Sequence, residues 1–157
     1  SVKEIMTPSS VMVMADANQT INEFYQNNPE LVFSRIPILN NGKIEAYVLK
    51  DTILESIINN KENFKLKEIK RTIIISTEGT KIPTLFDRLL KKREHISLVI
   101  DSAKNTIGIV TLEDIIETIL GYEIVDETDM VDDMQVLAKK IASNVGKLAD
   151  STTNDSE

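Results

Sequence analysis

Within its 157 residues the chain repeats itself once, and that repeat limits the folds open to it. Val2-Lys3-Glu4-Ile5 returns as Leu66-Lys67-Glu68-Ile69, and Thr20-Ile21 with Phe24-Tyr25 returns as Lys81-Ile82 with Leu85-Phe86. Arg35-Ile36-Pro37-Ile38-Leu39 returns as His95-Ile96-Ser97-Leu98-Val99. Ala46 to Leu54 returns as Gly108 to Ile116, so the offset drifts between 60 and 64 residues. Few positions are identical, but the order of segments is kept, as in a duplicated structural unit. A unit of ~60 residues is only marginally stable alone. Two copies sharing a core, related by a pseudo-twofold axis, are therefore expected.

Each copy reads as β-α-β-β-α, which makes the chain an α+β fold. A short strand (Val11–Met14; Ile73–Ser76) leads to a helix (Thr20–Asn27; Lys81–Lys92). Two strands follow, Ile36–Leu39 with Ala46–Leu49, and Ile96–Ile100 with Ile107–Thr111, joined by hairpin-like turns at Asn40–Lys43 and Asp101–Thr106. The closing helix of copy two carries Leu112, Ile115, Ile116, Ile119 and Leu120 at helical spacing, which predicts one buried stripe, and Gly121 reads as its stop. Ile53, Leu54, Ile57 and Ile58 do the same in copy one. The polar stretch Asn59–Lys67 is the link. The reading divides the chain into a first repeat over 1–63, a second over 64–122, and an acidic, partly helical extension over 123–157.

Charge separates that extension from the body. Residues 1–122 hold 16 acidic and 15 basic side chains, whereas 123–157 hold 9 and 3. A nearly neutral body without a basic stripe argues against nucleic acid. With no cysteine there is no disulfide framework and no thiolate metal site. No run approaches ~18 uninterrupted apolar residues, and no basic segment followed by an apolar one marks a signal peptide. The abrupt start in SVKEIMTP reads as a segment of a longer protein.

Catalytic options are thin. The one histidine, His95, reads as a surface residue at a strand end, and phosphate-loop, dinucleotide and zinc-protease motifs are absent. No metal ligand set and no catalytic group is assigned, and the chain is read as a non-enzyme. The acidic run Asp126–Asp133 lacks a fixed ligand spacing and reads as a solvated linker. Thr111-Leu-Glu-Asp114 is the leading constellation. It is a capping box, in which Thr111 and Asp114 satisfy backbone N–H groups at a helix start. The same geometry suits a nucleotide: a helix N-terminus favours phosphate, and an acid there suits ribose hydroxyls. The two readings are compatible. Arg35, at the mouth of a short strand, is either solvated or a phosphate clamp. Met6-Thr7-Pro8 is a rigid entry turn.

These segments carry a resemblance. Two β-α-β-β-α copies, the second closing in GIVTLEDII, resemble a tandem pair of CBS domains, a Bateman module. IMTP at 5–8, SRIPIL at 34–39 and GIVTLEDIIETILGYEIVDETD at 108–129 resemble the module of the CNNM/CorC magnesium and cobalt transporter family, also called hemolysin-like. The resemblance covers roughly residues 2–130. It implies a regulatory module at the cytoplasmic face of the cell membrane, preceded by a transmembrane domain and pairing into a flat homodimer. It implies adenine nucleotide as ligand, ATP (or AMP), with magnesium held through the phosphates. By motif, Thr7, Phe33, Ser34, Arg35, Ile36, Ile109, Thr111 and Asp114 would line the site. Thr111 and Asp114 would meet phosphate and ribose, Arg35 the triphosphate, and Ile36 and Ile109 the base. Copy one departs from the pattern, with Leu49 and Thr52 where copy two has Thr111 and Asp114, and Ala46 for Gly108. One site per chain is therefore expected. The alternatives are a ligand-free dimerisation module and an AMP-selective sensor.

Overall fold

Two four-stranded sheets carry the chain, and each takes its edge strand from the opposite copy. The structure, a computed structural model, describes residues 1–123 and 138–139. The strands are β1 (Thr7–Pro8), β2 (Ala15–Asp16), β3 (Arg35–Asn40), β4 (Lys43–Leu49), β5 (Arg71–Thr72), β6 (Ile74–Thr77), β7 (Ile96–Ile100) and β8 (Thr106–Thr111). The helices are α1 (Ile21–Asn27), α2 (Lys50–Ile58), α3 (Ile82–Lys92) and α4 (Leu112–Glu123). One sheet runs β2-β3-β4-β5 and the other β1-β8-β7-β6. The first strand thus pairs with the last, and β5, which opens copy two, pairs with β4 of copy one.

The one-turn helices before these edge strands cross over with them. Val2 is buried with Leu85, Leu89, Val99, Val110 and Ile115, all of copy two. Its counterpart Leu66 is buried with Ile21, Phe24, Ile36 and Ile53 of copy one. No cut near residue 63 would leave two self-contained sheets. A third cluster, Ile44, Tyr47, Ile73, Ile96 and Leu98, fills the space between the sheets and is the shared core that the repeat demands.

Local sequence explains the element ends. Thr20 and Glu23 form a capping box for α1, the Thr20 N–H donating to Glu23 Oε2 at 2.9 Å and the Glu23 N–H to Thr20 Oγ1 at 3.1 Å. Arg93, in the left-handed conformation, ends α3. The β3–β4 turn uses Asn41 and Gly42, both at positive φ, which matches the twist of a tight hairpin.

Four expectations change. Val11–Met14 is not a strand: Val11 closes a one-turn helix, Ser9–Val11, and the strand is Ala15–Asp16. Gly121 does not stop α4, which runs on to Glu123. The closing-helix stripes are only partly buried: Ile53 and Ile115 are inside, whereas Ile58, Ile116 and Ile119 are exposed. The repeat alignment also moves by one residue in the strands. Arg35 stands opposite Leu49, and Ile96 stands opposite Thr111. Since Leu49 and Thr111 are counterparts, Arg35 corresponds to Ile96 and not to His95. A one-residue shift exchanges the faces of a strand, so the correction decides which side chains share a cleft.

The chain divides into two units, Ser1–Ile116 and Glu117–Glu157. The acidic run Asp126–Asp133, the amphipathic pattern Leu137, Ile141, Val145 and Leu148, and the polar end Ser151–Glu157 lie outside the described residues.

Candidate functional site

β8 runs directly into α4, and Thr111 is the joint. Its N–H donates to Asp114 Oδ2 at 2.8 Å, and the Asp114 N–H donates to Thr111 Oγ1 at 3.2 Å. The capping box is therefore formed. The Leu112 N–H donates to the His95 carbonyl at 2.8 Å, fixing the helix start against β7. Copy one builds the same joint without the box: α2 follows Leu49 with no side-chain cap, and the Lys50 N–H donates to the Ser34 carbonyl at 2.9 Å. A helix can start here without Thr and Asp, so the fold alone does not require the pair.

β1 lies against β8, with Thr7 opposite Ile109 and Pro8 opposite Gly108. A Cβ on Gly108 would fall 2.5 Å from the Thr7 carbonyl oxygen and 2.9 Å from Met6 Sδ, closer than real Cβ atoms come. Glycine is what lets β1 bring Thr7 beside Ile109. On β3 side chains alternate, so Arg35 and Pro37 face the space between the sheets, while Ile36 and Ile38 sit in the copy-one core.

These elements enclose a cleft of about 260 Å³. Thr111, Asp114, Ser34, Arg35 and Thr7 supply polar groups, and Glu113 adds a second carboxylate beside Asp114. Ile109, Phe33, Val11, Val13 and Val32 form an apolar wall and rim, on which Val32 is 83% and Phe33 54% exposed. Seven of the eight sequence candidates meet here: Thr7, Phe33, Ser34, Arg35, Ile109, Thr111 and Asp114. Ile36 does not. It is fully buried in the copy-one core, because its parity on β3 is opposite to that of Arg35. Sequence reasoning missed Val11, Met12, Val13, Val32, Pro37, Ile96 and Glu113; the adjacent apolar pair Val32-Phe33 before a candidate arginine was a usable signal.

Arg35 carries the most informative atom of the cleft. Its Nε is buried with no hydrogen-bond partner, one of two such side-chain atoms among the described residues. Buried polar groups are nearly always satisfied, and leaving one unsatisfied costs about 1–3 kcal/mol, more for a charged group.

The pseudo-equivalent cleft is built differently. By the corrected register, Arg71 stands where the other side has Thr7, Tyr47 where it has Ile109, and Glu94 where it has Phe33. The Tyr47 hydroxyl donates to Glu94 Oε2, and Arg71 Nη2 donates to Glu94 Oε1 at 3.4 Å. The Arg71 guanidinium lies 6.0 Å from the Tyr47 ring centre. Burial first, and then the Glu94 carboxylate, push the Tyr47 pKa above its usual value near 10. Ile96 replaces the arginine, and Leu49 and Thr52 replace the Thr–Asp pair. His95 is exposed, and its backbone carbonyl accepts the Leu112 N–H at the start of α4. Among the described residues no group of three or more His, Cys, Asp or Glu could hold a metal, and no helix is long and apolar enough to cross a membrane.

Two intertwined β-α-β-β-α copies with this cleft between them are a CBS-domain pair. The CBS domain family matches residues 66–121, the second copy. The magnesium and cobalt efflux protein CorC of Salmonella typhimurium is 33% identical over 135 residues, which cover 85% of this chain and 46% of that protein. The solved CBS domain of a bacterial CNNM/CorC family Mg2+ transporter in complex with ATP superposes with a TM-score of 0.72 at 27% identity, over 76% of this chain and 87% of that one. A CBS-containing hemolysin-like protein of Oenococcus oeni superposes with a TM-score of 0.68 at 25% identity, over 73% and 86%. The chain has the CBS-domain fold and is similar in sequence and structure to the CBS region of CNNM/CorC family proteins. It spans about half the length of the curated relatives it matches.

Proposed function

We propose that the cleft between Arg35 and Asp114 binds ATP with magnesium and that the module passes this occupancy to a membrane ion-transport domain. The observation that carries the reading is the buried, unpartnered Nε of Arg35 in the same cleft as a capped helix start. A guanidinium held this way is ready for the planar oxygen pairs of a phosphate chain. The N–H groups at the start of α4 add partial positive charge. The Thr111 hydroxyl accepts the Asp114 N–H and still has its own proton to donate. A carboxylate offers about four acceptor sites, so capping is compatible with a role for Asp114 toward ribose hydroxyls. Ile109, Val11, Val13 and Phe33 supply apolar surface for a base. Magnesium would be held through the phosphates, where it offsets the charge of Glu113 and Asp114.

The complex of a CNNM/CorC relative with ATP supports the choice of nucleotide, and the name of the efflux relative supports the transport context. Pairing of two modules, an N-terminal transmembrane domain and a position at the cytoplasmic face of the membrane belong to the same reading. Ligand preference for one module conformation would shift the attached domain by the difference in affinity. The test is a panel of AMP, ADP and ATP, each with and without magnesium, read by melting temperature and calorimetry. ATP with magnesium is expected to bind most tightly. A melting temperature unmoved by every nucleotide sinks the reading and leaves a structural module, and AMP binding tighter than ATP replaces it with an AMP sensor.

A further inference from the structure

A second groove, of about 620 Å³ against about 260 Å³ for the cleft described above, runs between the two hairpin turns. Counterparts from the two copies line it in pairs: Leu39 with Ile100, Met14 with Ile75, and Gly42 with Lys104. The groove therefore lies on the pseudo-twofold axis and is not the symmetry mate of the Arg35–Asp114 cleft. That mate is the position taken by Tyr47, Glu94 and Arg71.

Its chemistry is divided. The floor is apolar, from Ile44 and Leu98, and the walls keep Met14 and Ile75 exposed at 41% and 45%. The rim is charged. Lys43 stands on one hairpin and Lys104 on the other, and among the described residues neither ammonium has an ion-pair or hydrogen-bond partner. Glu45 is the one acidic group in the lining, so the rim keeps net positive charge. Lys104 holds φ at 67°, where its counterpart Gly42 sits at 76°. A side chain other than glycine in that conformation costs about 1–2 kcal/mol. At this position copy two thus bears a strain that the glycine of copy one avoids, and it places a lysine over the groove. No aromatic side chain lines the groove for a base to stack on, and none of α1–α4 starts here to receive a phosphate.

We infer that this groove is a second ligand site, for a small amphipathic anion: an acyl chain lying on the Ile44–Leu98 floor with its carboxylate between Lys43 and Lys104. The volume and the apolar floor beneath a polar, charged rim are those of a small-molecule site. The segment from Ser9 to Met14 separates the groove from the other cleft. Ser9 and Met14 line the groove, whereas Val11, Met12 and Val13 line the cleft. One segment therefore borders both cavities.

The probe is octanoate, titrated into the 15N-labelled chain and followed by amide shifts, with octan-1-ol as its uncharged partner. Saturable shifts are expected in residues 39–45 and 98–106, with octan-1-ol at least fivefold weaker. Shortening the acid to hexanoate should weaken binding by up to about fourfold for each CH₂ removed. The double variant Lys43→Gln/Lys104→Gln should weaken octanoate at least fivefold, and Ile75→Glu, an exposed position, should abolish binding. Shifts that never saturate, shifts centred on Thr111, or octan-1-ol binding as tightly as octanoate would each overturn the inference. None of these outcomes depends on whether the Arg35 cleft binds a nucleotide.

Discussion

Gly108 lies so close beneath Thr7 that a single methyl group on it would fall 2.5 Å from the Thr7 carbonyl oxygen. The contact holds β1 on the sheet of the other copy, and so brings Thr7 into the cleft. Gly108→Ala must push β1 away from β8, at a cost of about 1–3 kcal/mol by analogy with overpacked cores. A lowered melting temperature together with weakened ATP binding is the expected outcome. An unchanged melting temperature would show that β1 moves freely.

Thr111 separates capping from binding. Losing an N-cap hydroxyl costs about 1 kcal/mol, which in a chain of this size lowers the melting temperature by roughly 2–4 °C. Thr111→Ser keeps the cap and the hydroxyl, so it should restore both stability and ATP affinity. If Thr111→Ala loses stability but keeps nucleotide affinity, the pair is only a cap.

Arg35 should show the opposite pattern. Its Nε is buried without a partner, so Arg35→Met removes an unsatisfied polar atom and keeps much of the packing. Melting temperature without ligand is expected to hold or rise slightly. ATP affinity is expected to fall by about tenfold, roughly one good interaction, with AMP affected much less. Calorimetry on both nucleotides checks the split; equal losses would argue against a role toward the outer phosphates.

Tyr47 predicts an alkaline transition. Its pKa is raised in the folded chain, first by burial and then by the Glu94 carboxylate that accepts its hydroxyl proton. A group whose folded pKa is raised stabilises the protein below its unfolded pKa, and the contribution fades as pH rises through the folded value. Stability should therefore fall above about pH 10, the ordinary tyrosine value. Tyr47→Phe should flatten that fall and cost about 1.5 kcal/mol at neutral pH for the lost charged hydrogen bond. Melting curves between pH 8 and 11 test it.

Much of this was legible beforehand because the signals are local. Apolar spacing marked the helices, Asn41-Gly42 marked the hairpin turn, and Thr111 with Asp114 marked a helix start. Ile36 was misplaced for a different reason. A strand turns successive side chains to opposite faces, so an error of one residue sends a core side chain into the cleft or the reverse. The alignment of Arg35 with His95 carried the same one-residue error. Val11–Met14 looked like a strand because it is apolar, but Val11, Met12 and Val13 form a wall of the cleft, which the linear pattern does not reveal.

By itself the sequence determined the duplication, the order of elements in each copy, and the loss of the Thr–Asp pair from copy one. These follow from residue type and short-range spacing, which act within a turn or two of chain. Only the tertiary structure decided that Val2 belongs to the core of copy two and Leu66 to that of copy one. It alone brought Arg35 to the same cleft as Asp114 and closed the opposite side with Tyr47, Glu94 and Arg71. The physical reason is that the edge strands are two residues long, too short to specify a partner by pattern. Burial of Val2 and Leu66, and the bare Cα of Gly108, choose the partner instead.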